Sequence, residues 1–239
     1  MKKYKYEEML PHEFLGALRE MPLFIIPTGL LEWHGDHNPL GLDTLKVYEI
    51  CLRAAKLLDG GIVLPPNYYG RPGFSSYTGT LTYSEGCLHI LFTELFGQLR
   101  KAGGKVIALI TGHYGSCQVD FIKKVAANFE REHPDVRILA MPEYEDTLVD
   151  GRAPADHAGF WETSMMTAVN PSLTDMTRLG KVPQPMKIYE DPPNDYYKES
   201  GSWTWDGSVF ASEAETGNRA LDAMAATVAA KIRALLQAL

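Results

Sequence analysis

The sequence predicts an α/β protein built on a mainly parallel sheet flanked by helices. Two observations carry this. Short apolar strand-like runs alternate with longer segments of helical periodicity, and each connection is long enough for a crossover. A third observation agrees: the run "KVIALITGH" (105–113) is apolar on consecutive positions, as expected of a strand buried on both faces.

The elements follow in order. "PLFIIPTG" (22–29) is short, apolar and ended by glycine, which suits a buried strand. "TLKVYEICLRAAKLLDGG" (44–61) has helical spacing and closes on Gly60-Gly61, a C-terminal stop. "GIVLPPNYYG" supplies a second strand ended by prolines. Residues 84–104 form an amphipathic helix with Ser84 as N-cap and Gly103-Gly104 as terminator. The strand 105–113 precedes a helix stopped by Pro134. "VRILAMPEY" reads as a fourth strand and "WETSMMTAVNP" as a helix ending at Pro171. Residues 181–207, rich in Pro, Tyr, Trp and Gly, read as an irregular excursion before a closing helix.

Composition narrows the function. At 239 residues and 45% hydrophobic content, the chain is expected to form one domain spanning 1–239. A net charge of -7 argues against nucleic acid as partner. Cys51, Cys87 and Cys117 lie far apart, which disfavours a disulfide framework and a Cys-rich zinc site. The N-terminus lacks a signal-peptide core, and no apolar run reaches the roughly 20 residues that span a bilayer. A cytoplasmic protein with a small-molecule substrate is the expectation. No GxGxxG follows the first strand, so a nucleotide-binding Rossmann enzyme is disfavoured.

Open α/β sheets carry their sites at the carboxyl ends of the strands. Glu32, His34 and Asp43 follow the first strand in "EWHGDHNPLGLD", and His113 follows the third. Glu32 and His34, two apart, share a side in extended chain, leaving Trp33 to pack. His157 and Glu162 come from "DHAGFWETS". This mixed nitrogen and oxygen set suits zinc, manganese or ferrous iron. The two oxygens of Asp43 can bridge two ions, which together hold a hydroxide and polarise a carbonyl. His37 either faces the site, supports it from behind or is exposed, and Asp36 fits an ordinary turn.

With these residues in view, the chain resembles the creatininase family. Residues 26–44, "IPTGLLEWHGDHNPLGLDT", resemble the family's "lPvGs.EqHGpHLPlgtDt". "TGHYGS" (111–116) is similar to "NGHgGN", and "HAGFWETS" (157–164) to "HAGe.ETS". Weaker echoes lie at 68–82 and 208–220. The resemblance implies a three-layer α/β/α sandwich, two divalent ions and a homo-oligomer, with a hexamer favoured. It implies that Glu32, Asp43 and His113 hold one ion and that His34 and Asp43 hold the other. In creatininase itself a Glu completes the second shell two residues after the motif histidine. Here that position is Gly115, and Glu162 is the natural replacement. His157 would shuttle a proton to the leaving group. Substrate contacts are expected from His37, Ser76, Tyr114 and Trp161.

The family's Asn is Thr111 here, its closing Asn is Ser116, and the His usual near 75–77 is missing. The implied activity is hydrolysis of a small cyclic amide or related ring carbonyl. The alternatives are cleavage of a cyclic polyol diketone at a C–C bond, or a catalytically silent ligand-binding member.

Overall fold

The computed structural model describes residues 2–75, 77–179 and 205–239. Among these residues, four strands, β1 (Leu23–Thr28), β2 (Ile62–Val63), β3 (Val106–Thr111) and β4 (Arg137–Pro142), pair in parallel in the order β2-β1-β3-β4. Six α-helices among the described residues surround them: α1 (Pro11–Glu20), α2 (Leu42–Leu58), α3 (Glu85–Lys101), α4 (Ser116–Glu132), α5 (Phe160–Val169) and α6 (Ala214–Gln237).

Side-chain alternation in β1 and β3 sorts the core into two layers. Leu23, Ile25, Val106, Ala108 and Ile110 face α2, α5 and α6. Phe24, Ile26, Ile107 and Leu109 face α1, α3 and α4. Every residue of β1 and β3 is buried, as the unbroken apolar run in β3 requires. This is the three-layer sandwich the sequence predicted.

The structure differs from the sequence reading in three places. Pro11–Glu20 is a helix that the reading passed over; Pro11 starts it and the Glu13 carboxylate accepts the Leu10 N–H at 2.8 Å. The second strand shrinks to two ladder residues, because Pro65 and Pro66 cannot continue it. Helix α2 begins at Leu42, so Asp43 lies in its first turn rather than in the preceding loop. Ser84 caps α3 as expected, accepting the Cys87 N–H at 3.2 Å. Of the stretch read as irregular, 180–204 lies outside the described residues.

The topology explains the site's location. β1 and β3 are neighbours in exact register, Thr28 opposite Thr111. The helix after β1, α2, covers one face of the sheet, and the helix after β3, α4, covers the other. The two outgoing chains therefore part between β1 and β3, and the crevice they leave lies at the strands' carboxyl ends.

Candidate metal centre

Five of the sequence-predicted residues meet in that crevice. Glu32 and His34 leave β1, Asp43 opens α2, His113 leaves β3, and Glu162 opens α5. Each is no more than 4% exposed. Burial of this many ionisable groups is costly unless they answer one another.

Asp43 divides its carboxylate. Oδ1 lies 3.1 Å from His34 Nε2, and Oδ2 lies 3.3 Å from His113 Nδ1. On one side Glu32 Oε2 joins His113 Nδ1 at 3.0 Å. On the other, Glu162 Oε2 lies 3.5 Å from His34 Nε2. Two triads able to hold an ion share Asp43: Glu32–Asp43–His113 and His34–Asp43–Glu162. A third grouping, Glu32–His34–His157, brings His157 within the same reach.

The backbone fixes these side chains. His34 Nδ1 bonds the Glu32 carbonyl at 3.0 Å, which leaves Nε2 for the crevice. The Phe74 N–H donates to Glu32 Oε1 at 2.8 Å, leaving Oε2 toward His113. Gly73 lets this loop approach; a Cβ there would stand 1.6 Å from Glu32 Oε1. Glu162 is held by the Ala158 N–H on Oε2 at 2.7 Å and by the Tyr114 hydroxyl on Oε1 at 2.6 Å. Asp156 accepts the N–H groups of Gly159, Trp161 and Glu162 and so caps α5 in place of a conventional N-cap.

The residues fit a divalent cation. Carboxylates and imidazoles converge, and no cysteine joins the groupings among the described residues. His34 Nε2 and Asp43 Oδ2 are buried and make no hydrogen bond, despite neighbours just over 3 Å away. Unsatisfied buried polar atoms cost about 1–3 kcal/mol each, and an ion in each of the two triads would answer one of them.

Without an ion, protons supply the missing positive charge. Burial opposes a charged His34, but the Asp43 and Glu162 carboxylates outweigh it and raise its pKa to about 9. Burial likewise opposes a charged His113, and Glu32 with Asp43 raises it well above 6.5. His34 then contributes stability that is complete below pH 6.5 and is lost as pH rises through about 9. Ion-free protein is thus expected to lose on the order of 3 kcal/mol from this group across that window. Added Mn2+ must displace these protons, so it should raise the melting temperature more at pH 8.5 than at pH 6.5. Thermal scans at the two pH values check the sign.

His157 behaves differently. Desolvation, with His34 beside it, lowers its pKa to about 3. Its ring stacks on Phe74 at 4.1 Å and lies 4.5 Å from that of His34. The sequence reading gave it a proton-shuttle role from an unperturbed pKa near neutrality; burial instead keeps it neutral and makes it a weak base. Trp33 packs as expected, against Phe74, Tyr77 and Trp205.

The residues expected to contact substrate separate. Tyr114 lines a cavity of about 210 Å³ together with Gly73, Phe74, Gly115, His157 and the carboxylates. His37 is buried behind it, bonded to the Ala158 carbonyl at 3.0 Å and edge-on to Trp205, so it does not line the cavity. The Trp161 ring packs on the core between the sheet and α6 and is likewise outside the lining. Ser76 lies outside the described residues.

Two site residues escaped the sequence reading. Lys46 and Glu143 are fully buried and paired beside Asp43 and Glu162. The signal for Lys46 is its position: it falls on the buried stripe 43-46/47-50-54 of α2, where a lysine is anomalous. The signal for Glu143 is the strand-end rule itself, since it follows β4 directly.

A parallel sheet bearing a buried carboxylate–imidazole cluster at its switch point defines a metal-capable α/β protein. The chain belongs to the creatininase family: the family model described as creatinine amidohydrolase matches residues 7–232. Curated relatives include creatinine amidohydrolase of Pseudomonas putida, 24% identical over 73% of each chain. Mycofactocin precursor peptide peptidase of Mycobacterium ulcerans is 27% identical over 66% of this chain and 62% of its own length. A solved structure of creatininase with Mn superposes with a TM-score of 0.77 at 22% identity, covering 98% of both chains. A mutant creatininase of Zn-Zn type gives 0.77 at 21% identity, again over 98% of both chains. These structures share the fold, and hydrolases populate the family.

Proposed function

We propose that the protein is a dinuclear metal-dependent hydrolase that opens a small cyclic amide or related ring carbonyl. The divided carboxylate of Asp43 carries this reading: one oxygen serves each of two triads. Glu32 and His113 complete one position, and His34 and Glu162 the other. Glu162 takes the place that Gly115 leaves open. Divalent ions held there would polarise a carbonyl and make water acidic enough to attack near neutral pH.

The remaining chemistry belongs to the chain. His157 lines the cavity, stacked on Phe74, where its imidazolium, once formed, is acidic enough to give a proton to the leaving atom. Phe74 and the loop at Gly73 wall the cavity beside the reacting groups. A cavity of about 210 Å³ suits a single small ring, which favours a creatinine-sized substrate over a peptide. A homo-oligomer, with six copies favoured, belongs to the same proposal.

The test is a hydrolysis screen of Mn- and Zn-loaded protein against cyclic amides, formamides and keto-inositols. Turnover of at least one ring compound, abolished by chelator, is expected. Glu162→Gln should lower it by roughly 100-fold, because one triad loses one of its two negative charges and one carboxylate oxygen. Protein that retains no divalent ion, and opens none of these rings, would overturn the reading.

A further inference from the structure

The loop that delivers His157 turns at a strained residue. Ala158 precedes α5, is completely buried and has φ +52°, in the left-handed region that alanine avoids. Glycine would take that conformation at little cost, yet the chain places alanine there. The surrounding side chains hold it.

Two peptide planes meet at Ala158, and all four of their polar groups are taken. In the plane before it, the His157 carbonyl accepts the Trp205 indole N–H at 3.0 Å, and the Ala158 N–H donates to Glu162 Oε2 at 2.7 Å. In the plane after it, the Ala158 carbonyl accepts from His37 Nε2 at 3.0 Å, and the Gly159 N–H donates to Asp156 Oδ1 at 3.2 Å. A carbonyl only accepts, so His37 carries its proton on Nε2. The Thr163 hydroxyl adds a second donor to the Ala158 carbonyl at 3.2 Å and itself accepts from Asn38 at 2.9 Å. Glu162 belongs to the cluster and Asp156 caps α5, so each has another task. His37 and Trp205 neither line the cavity nor belong to the groupings able to hold an ion. Their rings meet edge-on at 5.1 Å. Gly35 makes room for both: a Cβ there would stand 2.6 Å from His37 Nδ1 and 2.9 Å from Trp205 Cη2.

We propose that His37 and Trp205 are positioning residues for His157. They pin the carbonyls on either side of Ala158, hold it left-handed, and so keep the His157 imidazole stacked on Phe74 at the cavity wall. Released from them, Ala158 relaxes to a negative φ, the His157 peptide rotates and the imidazole leaves Phe74. The part His157 plays in the reaction rests on the hydrolase reading above; its placement does not.

NMR of the full chain, ion-free and Zn-loaded, with labelled histidine reads that placement. In the wild type the His157 ring protons should lie upfield, shielded by the Phe74 ring 4.1 Å away. His37→Phe and Trp205→Phe each keep a ring but lose the N–H donor, and each should move these signals to the ordinary imidazole region. His37→Gln can present an N–H where Nε2 stood and should leave them in place. With a ring compound that the metal-loaded protein opens, both phenylalanine variants should lower kcat by about tenfold, the weight of one left-handed residue, with KM unchanged. Glycine removes that penalty, so in an Ala158→Gly background His37→Phe should cost under about threefold. His157 signals that stay upfield in both phenylalanine variants overturn the inference. So does displacement by His37→Gln equal to that by His37→Phe, or a His37→Phe loss undiminished beside Ala158→Gly. A protein that opens no ring overturns the hydrolase reading instead, and the NMR comparison still decides the placement.

Discussion

Asp43→Asn is expected to weaken Mn2+ binding at both positions by roughly 100-fold or more and to abolish hydrolysis. The reason is the shared carboxylate. Its Oδ1 serves the His34 triad and its Oδ2 the His113 triad, so an amide takes the negative charge from both and leaves an oxygen for only one of them. The change also strikes the ion-free protein. Asp43 sustains the charge on His34 and His113 when no metal is present, so both imidazoles should titrate at lower pH. Calorimetry and elemental analysis read the metal loss, and NMR titration of the imidazoles reads the second effect. Ring-opening activity that survives in Asp43→Asn, or metal binding at wild-type affinity, would sink the bridging assignment.

The contrast with Glu162→Gln sharpens this. Glu162 belongs to one triad, so its loss should spare the other. Equal damage from both variants would mean that the site works as one undivided cluster.

Much of this was legible in the sequence because two strong rules coincide. Apolar runs separated by helical stretches give a parallel sheet, and such a sheet places its site at strand ends. Glu32, His34, Asp43 and His113 could therefore be grouped before any coordinate was known. The start of α2 was harder. Gly41-Leu42 carries no capping side chain, and Gly41 serves as N-cap without one, so the boundary at Asp43 had no local signal. His37, expected to contact substrate, has a different reason. The Gly35 turn, with φ +73°, sends it toward the Ala158 carbonyl instead. His157 was assigned its role from its ordinary pKa, and sequence carries no measure of the desolvation imposed by Phe74 and Trp33. Lys46 and Glu143 compensate each other across 97 residues of chain, a partnership that only the folded sheet creates.

The second large effect is expected at Gly73. In Gly73→Ala the new Cβ would stand 1.6 Å from Glu32 Oε1 and 2.8 Å from His113 Cε1. Neither neighbour can yield freely: Glu32 is anchored by the Phe74 N–H, and His113 follows directly on the β3 exit. The loop or the carboxylate must shift by about an ångström, a displacement that costs on the order of 100-fold in catalysis. Stability should fall by about 1–3 kcal/mol from overpacking. The loss of metal affinity should fall on the position that Glu32 serves, leaving the His34–Asp43–Glu162 position closer to wild type. Gly97→Ala provides the control. Gly97 lies within α3 with open space around its Cβ position, so alanine there should leave metal binding alone and stabilise the helix by up to about 1 kcal/mol. Thermal unfolding and Mn2+ titration of the two variants separate a steric effect at the site from a general intolerance of alanine. Gly73→Ala protein with unaltered metal binding would show that Glu32 is not held where the Phe74 loop places it.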